Sequence, residues 1–147
     1  MHLTLRQLQC FSAVAKNLSY TKAAQELHLT QPAVSMQIRQ LEQQAGLPLT
    51  EQFGKRIHLT EAGEEVYRYA RSILQQVEEM DDVLDRIKGF SGGRLRIAAI
   101  SSANFFVPRL LGTFQQRFPD VSVSMQVTNQ QAVMRLVIEN DVDMAIM

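Results

Sequence analysis

Residues 19–41 read Ser-Tyr-Thr-Lys-Ala-Ala-Gln-Glu-Leu-His-Leu-Thr-Gln-Pro-Ala-Val-Ser-Met-Gln-Ile-Arg-Gln-Leu. Two helix starts are written in this stretch. Ser19 precedes a run with Ala23, Ala24 and Leu27 on one side. Thr30 precedes a run with Val34, Ile38 and Leu41 at spacings of four and three. Ser and Thr at such places accept hydrogen bonds from N–H groups that a helix start leaves unpaired. Pro32 falls in the first turn of the later run, where a missing N–H costs nothing, and Gly46 ends that run. Only His28-Leu29-Thr30 separate the two helices. Small Ala24 at the crossing, with Val34 ten residues on, has the spacing of a helix-turn-helix. The later helix would present Thr30, Gln31, Ser35 and Arg39 outward. Gln can bond an adenine edge and Arg a guanine edge, each through two hydrogen bonds. The N–H groups at both helix starts can bind phosphate. A plain three-helix packing unit with a polar outer face is the competing reading of the same spacing.

Outward from this stretch, Thr4 can cap an earlier helix whose apolar side is Leu5, Leu8, Phe11 and Ala15. Leu47 to Thr60 alternates weakly around Gly54-Lys55-Arg56 and reads as a two-stranded hairpin with a basic tip, Pro48 and Gly54 suiting turns. Alone, such a tip is more often a solvated turn; directly after a helix-turn-helix it reads as a DNA contact. From Glu61 to about Lys88 runs one long helix, roughly 40 Å at 1.5 Å per residue. Val66, Ala70, Ile73, Val77, Met80, Leu84 and Ile87 recur along it at alternating spacings of four and three, an unbroken heptad seam. A helix of this length has little of its own domain to pack on, so the seam reads as a dimer interface rather than core. Ser91-Gly92-Gly93 ends it as a hinge.

Arg94 to Ile100 is a buried-type strand, followed by a Ser101-Ser102-Ala103-Asn104 turn. A helix carrying Phe106, Leu110, Leu111, Phe114 and Phe118 stops at Pro119-Asp120. Val121 to Val127 alternates as a second strand, and a Thr128-Asn129 turn leads to a helix with Val133, Leu136 and Val137. Val142 to Met147 is a third strand. This alternation implies parallel pairing and an α/β sheet. Three parallel strands with the last at the chain's end are expected to belong to a larger lobe, which makes the chain an N-terminal fragment. Ligands of open α/β sheets bind at the carboxyl ends of strands. Hydroxyls and helix N–H groups at Ser101-Ser102 and Thr128-Asn129 would suit a phosphate or carboxylate, with ordinary helix capping as the plainer alternative.

The chain has 147 residues, 46% apolar and 20% charged, with a formal net charge of zero. That is globular, long enough for one ordinary domain or two small ones, and taken whole it argues against nucleic acid. The zero conceals an asymmetry. Residues 1–60 hold six cations against three anions, residues 61–90 four against eight, and residues 91–147 five against four. The acidic Glu78-Glu79 and Asp81-Asp82 lie away from the expected DNA end. No run approaches 18 apolar residues and no cationic-then-apolar leader opens the chain, so a cytoplasmic protein with no membrane partner is expected. The single Cys10 rules out an internal disulfide, fits a reducing cytosol and reads as packing. His2, His28 and His58 are isolated, so no metal is expected. No nucleophile–base–orienter set or phosphate-loop motif occurs, so the chain is not read as an enzyme.

Leu5-Arg6-Gln7-Leu8, Phe11, Ser19 to Ala24, Leu27 to Ser35, Gln37 to Glu42 and Leu59-Thr60-Glu61-Ala62-Gly63 resemble the winged helix-turn-helix of LysR-type transcriptional regulators. Gly93 to Met147 resembles the first lobe of that family's effector domain. Gln31 to Ile38, Glu51 to Thr60, Ser102 to Leu111 and Val127-Thr128-Asn129 resemble the subgroup regulating Calvin-cycle (RuBisCO) operons. Three positions depart from the family pattern. Thr50 stands where a Phe usually packs the wing against the helices, Met36 where Arg is common, and Asn140 where Gly is common.

The resemblance implies a mainly α fold with a partial α/β part. Residues 1–60 would be the winged helix-turn-helix, residues 61–90 a dimerisation helix and hinge, and residues 91–147 an incomplete, periplasmic-binding-protein-like effector lobe. It implies DNA contacts at Ser19, Thr21, Thr30, Gln31, Pro32, Ser35, Met36 and Arg39, with Lys55 and Arg56 on a wing over a minor groove or flanking phosphate. It implies a homodimer presenting two recognition helices to a pseudo-palindromic operator in double-stranded DNA, a tetramer at full length, and RNA polymerase as a further partner. It implies no resident cofactor, and a phosphorylated metabolite or NADPH as effector at Ser101, Ser102, Thr128 and Asn129. The expected function is sequence-specific regulation of carbon-fixation genes in response to a metabolite. The alternative is a truncated chain that binds DNA and dimerises without sensing.

Overall fold

The structure is a computed structural model that describes residues 2–89 and 92–147; Ser91 of the expected hinge lies outside the described residues. Contacts divide the chain into two compact units, Met1–Glu79 and Met80–Met147.

The first unit opens with α1 (Leu5–Asn17), α2 (Tyr20–Glu26) and α3 (Gln31–Ala45). Each start is closed by the side chain expected from the sequence. Thr4 and Gln7 form a reciprocal capping box, Thr4 Oγ1 accepting from the Gln7 N–H at 3.2 Å and Gln7 Oε1 from the Thr4 N–H at 3.1 Å. Ser19 Oγ accepts from the Lys22 N–H at 3.2 Å and Thr30 Oγ1 from the Ala33 N–H at 3.3 Å. The turn between α2 and α3 is a Schellman motif. The Leu29 N–H reaches the Ala24 carbonyl and the His28 N–H the Gln25 carbonyl. His28 occupies the left-handed position at φ +54°, which a non-glycine residue adopts only when the surrounding bonds hold it there.

Phe11, Val14, Ala23, Val34, Ile38, Leu41 and Leu49 have no more than 1% of their surface exposed and form one core with Cys10, Ala13 and Ala24. Leu5 does not join it. The whole stretch from Leu3 to Arg6 is exposed, so the first turn of α1 projects past the core. Gln7 is buried there instead, its polar end satisfied by the capping box. Burial raises the pKa of the Cys10 thiol, with Arg6 opposing weakly, so this cysteine is packing, as expected.

The hairpin consists of β1 (Thr50–Phe53) and β2 (Arg56–Leu59), paired antiparallel from Thr50 with Leu59 to Phe53 with Arg56. Gly54, at φ +62°, makes the turn. The long helix α4 (Glu61–Ile87) follows at once. Thr60 joins the two, its hydroxyl donating to the Pro48 carbonyl at 2.7 Å and accepting from the Gly63 N–H at 3.0 Å. Helix and wing approach so closely at Gly63 that a Cβ there would collide with the Leu49 carbonyl.

In the second unit β3 (Arg94–Ile100), β4 (Ser122–Thr128) and β5 (Met144–Ile146) form a parallel sheet in the order β4-β3-β5. Helices α5 (Val107–Arg117) and α6 (Gln130–Ile138) connect them. Residues 101–104, expected as a turn, belong to a 3-10 helix, Ser101–Phe105, and α5 begins only at Val107 with Pro108 in its first turn. This moves the inward line of α5. Ala99, Ala103 and Val107 form the core with Leu111 against them, while Phe106, Leu110 and Phe118 stay substantially exposed. The last strand is shorter than the expected Val142–Met147. Its entry is fixed by Asp143, whose carboxylate accepts from the Arg96 N–H at 2.7 Å while its own N–H donates to the Arg96 carbonyl at 2.8 Å. Burial works to raise the pKa of this carboxyl, but the hydrogen bonds and charge of Arg96 outweigh it, and the carboxyl stays below the ordinary value of 3.8. Asn140 adopts φ +55° after α6. Asn tolerates that region better than most side chains, which accounts for its standing where Gly is common.

Gly63→Ala should therefore destabilise the first unit. Forcing a methyl group against backbone in a packed contact costs about 1–3 kcal/mol, to be read as a lowered thermal midpoint. An unchanged midpoint would show that α4 and the wing separate freely.

Candidate nucleic-acid interface

The turn at His28 and the burial of Val34, Ile38 and Leu41 leave the opposite face of α3 outward. Gln31, Pro32, Ser35, Met36 and Arg39 line one shallow groove of about 530 Å³ along that face, extended by Gln40 and Gln43. Five of the residues expected at DNA are thus brought together. Gln31 Nε2 donates to Ser35 Oγ at 2.9 Å. This bond restricts the Gln31 side chain before any ligand arrives and leaves its carbonyl oxygen and second amide proton for a base edge. Met36 is 53% exposed in the middle of the groove. It presents a thioether rather than a donor, a surface suited to apolar contact such as a thymine methyl group.

Ser19 and Thr30 stand one at each helix start. Their oxygens already accept from N–H groups of the first turn, but each hydroxyl proton remains available to a phosphate oxygen. Thr21 and Lys22 are exposed in the first turn of α2. Lys16 is drawn to Glu26 at 3.5 Å, so it adds less to the local field than the sequence count suggests. Lys55 and Arg56 are exposed at the hairpin tip. Beside them Phe53 is 64% exposed and lies 5.7 Å from the His58 ring across the hairpin, a diagonal aromatic pair on the outer face.

Sequence reasoning missed the residues that hold the wing. Glu42 Oε1 accepts from the Leu49 N–H at 2.9 Å and the Thr50 N–H at 3.2 Å. Thr50 Oγ1 lies 3.4 Å from that oxygen and 3.2 Å from the Tyr20 hydroxyl. The available signal was a carboxylate near the end of a helix, a few residues before a strand whose first N–H groups need acceptors.

The heptad seam divides. Val66 packs on the core of the first unit and Ala70 is fully buried, so within a single chain both already serve the winged unit. Val77 is half-buried, whereas Ile73, Met80, Leu84 and Ile87 are exposed, Ile87 to 76%. At the sheet, Ile100 pairs in register with Thr128, so Ser101-Ser102 and Thr128-Asn129 emerge side by side at the carboxyl ends of adjacent strands. Asn129 Oδ1 caps α6 by accepting from the Ala132 N–H at 2.9 Å, the plainer of its two expected roles. Among the described residues no group of three or more His, Cys, Asp or Glu is arranged to hold a metal, and no helix is long and apolar enough to cross a membrane.

Fold and face together define a winged helix-turn-helix protein with a sheet-based lobe. A family model described as bacterial regulatory helix-turn-helix protein, lysR family, matches residues 5–64. One described as LysR substrate binding domain matches residues 88–147. The chain belongs to the LysR family of bacterial regulatory proteins. It is 52% identical over 147 residues to a RuBisCO operon transcriptional regulator of Allochromatium vinosum, covering 100% of this chain and 49% of that relative. The DBD of BenM in complex with catB site 1 DNA matches at a TM-score of 0.57 and 37% identity, over 58% of this chain and 97% of that one. Full-length CbnR complexed with its target DNA matches at a TM-score of 0.53 and 28% identity, over 95% of this chain and 49% of that one. The chain spans about half the length of the curated relatives it matches.

Gln31→Ala should weaken binding to a preferred duplex by about 1–3 kcal/mol and leave random DNA nearly unaffected. Lys55→Ala should weaken both alike and lower the slope of log affinity against log salt by about one. Fluorescence anisotropy titrations at several salt concentrations separate the two patterns. Equal losses on both duplexes for Gln31→Ala would remove it from the base-reading set.

Proposed function

We propose that the chain is the DNA-binding and self-pairing part of a LysR-family regulator of carbon-fixation operons. The observation that carries the reading is the single outward groove on α3. There a pre-oriented Gln31, the Ser35 hydroxyl, the Met36 thioether and the Arg39 guanidinium share one exposed helix face. That set combines hydrogen-bonding and apolar groups of the kinds that distinguish base pairs in a major groove. Ser19, Thr21 and Thr30 at the helix starts supply phosphate contacts that set orientation, and Lys55 and Arg56 extend the contact to the flanking backbone. The DNA named with the BenM and CbnR structures supports the nucleic-acid reading. The name of the Allochromatium relative supports the carbon-fixation target.

Pairing follows from the exposed half of the seam. Ile73, Met80, Leu84 and Ile87 form an apolar stripe on α4 with charges between, and a second copy of α4 would bury it. A two-fold pair presents two copies of α3 to a pseudo-palindromic site. A tetramer and contact with RNA polymerase belong to this proposal for the longer protein.

Sensing is supported less far by these 147 residues. Hydroxyls at Ser101, Ser102 and Thr128 stand at one end of the sheet with Asn129, and chemically they suit the phosphate of a metabolite or of NADPH. Yet Ser101, Ser102 and Asn129 are exposed, and a ligand pocket needs enclosing walls that displace water. That exposure favours the second reading for this stretch of chain, DNA binding and pairing without ligand sensing.

Replacing Ile73 and Met80 together by Glu tests the pairing. Both are exposed within one chain, so the winged unit should keep its fold and its circular dichroism. We expect sedimentation to show monomers, with tight binding to DNA from upstream of RuBisCO genes lost. A dimer that survives both substitutions would place the pairing surface elsewhere.

A further inference from the structure

We propose that Tyr20, Glu42 and Thr50 form a polar clamp that positions the basic wing, and that the wing's contribution to DNA binding runs through it. This rests on the reading of α3 and the hairpin as the DNA interface. Three elements that carry outward groups are joined by one relay of hydrogen bonds: the root of β1 meets α3 at a Glu42 carboxylate oxygen, and α2 reaches that root through the Thr50 hydroxyl. Glu42 is on α3, seven residues beyond Ser35 and three beyond Arg39. Thr50 is the first residue of β1, and Tyr20 is the first residue of α2, next to the Ser19 cap. Glu42 Oε1 takes the Leu49 and Thr50 N–H groups at 2.9 and 3.2 Å.

The hydroxyl protons give the clamp a direction. Glu42 can only accept when ionised, so Thr50 donates to it, and the Tyr20 hydroxyl at 3.2 Å then donates to Thr50 Oγ1. The chain of donors runs from Tyr20 through Thr50 to Glu42, and its last bonds are charge-assisted. All three residues are partly buried, so water competes for these groups less than it would at the surface.

The hairpin needs such an anchor. Each strand has four residues, and Glu51, Gln52 and Phe53 are all exposed. A two-stranded hairpin is at best marginally stable alone, so the direction in which Lys55 and Arg56 project is set at the root of the strand. Hydrogen bonds from that root to α2 and α3 set this direction. Tyr20, Glu42 and Thr50 are therefore positioning residues that act through Lys55 and Arg56.

A double-mutant cycle on the whole chain tests this, using a duplex that the chain itself selects from random sequence. Thr50→Val keeps the side chain's shape and removes its hydroxyl. It should weaken binding about three- to tenfold, the effect of losing a part-buried hydrogen bond. It should also lower the salt slope toward that of Lys55→Ala/Arg56→Ala. In the Lys55→Ala/Arg56→Ala background the same substitution should change affinity less than about twofold. Equal losses with and without the wing cations would overturn the positioning role and make the clamp a matter of stability alone. If Lys55→Ala/Arg56→Ala by itself leaves affinity and salt slope unchanged, the wing is not a DNA contact, and the clamp's role falls with that reading. Should Thr50→Val fail to fold, Tyr20→Phe, which removes only a hydroxyl, runs through the same cycle with the same two outcomes.

Discussion

The close crossing of α1, α2 and α3 at Ala23 and Ala24 is the contact on which the rest of the first unit depends. Ala23 has no exposed surface and Ala24 has 4%. A larger side chain at either place would push α2 outward and tilt α3 with it. Because both are alanine, Phe11 and Val14 of α1 can meet Val34, Ile38 and Leu41 of α3 in one core. The polar side of α3 is then left facing solvent as a single groove. The Schellman turn closes the same arrangement along the chain, with His28 held at a positive φ by the bonds from its own N–H and that of Leu29.

Around this core the wing is fastened by different physics. Leu49 supplies the buried apolar contact and Gly63 lets α4 lie against the Leu49 backbone. The remaining fixation is polar, through Thr60 to Pro48 and through Glu42 to the first N–H groups of β1. A hydrogen-bonded root holds direction more narrowly than an apolar contact, because both distance and angle are constrained. In the second unit the central strand β3 is buried at Ile97, Ala98 and Ala99, while α5 and α6 keep apolar side chains exposed.

Much of this was legible in the sequence where one local rule decides the outcome. Thr4, Ser19 and Thr30 cap their helices as their positions predict, Gly54 turns the hairpin, and Val34, Ile38 and Leu41 face inward at helical spacing. The strand–helix alternation after Arg94 correctly implied a parallel sheet. Prediction failed where tertiary context overrode periodicity. Leu5 fits the inward spacing of α1 but lies in a turn that overhangs the core. Phe106 and Leu110 fit a helical face, but a 3-10 helix delays the start of α5 and rotates that face toward solvent. On α3, the spacing of Val34, Ile38 and Leu41 implied that Gln31, Ser35 and Arg39 would share an outward face, and they line one groove with Gln40 and Gln43, which the spacing did not single out. The Tyr20–Thr50–Glu42 clamp was not legible, since its members lie far apart in sequence and share no spacing rule.

In the proposed function two copies of α3, set by two-fold pairing through α4, read one stretch of duplex. Hydroxyl-radical footprinting of the chain on DNA upstream of a RuBisCO operon reports that arrangement. Two protected patches are expected on one face of the duplex, with centres about 10 base pairs or a whole multiple of that apart. Flanking protection from the wing should vanish in Lys55→Ala/Arg56→Ala. A single protected patch, or uniform protection without phase, would contradict it.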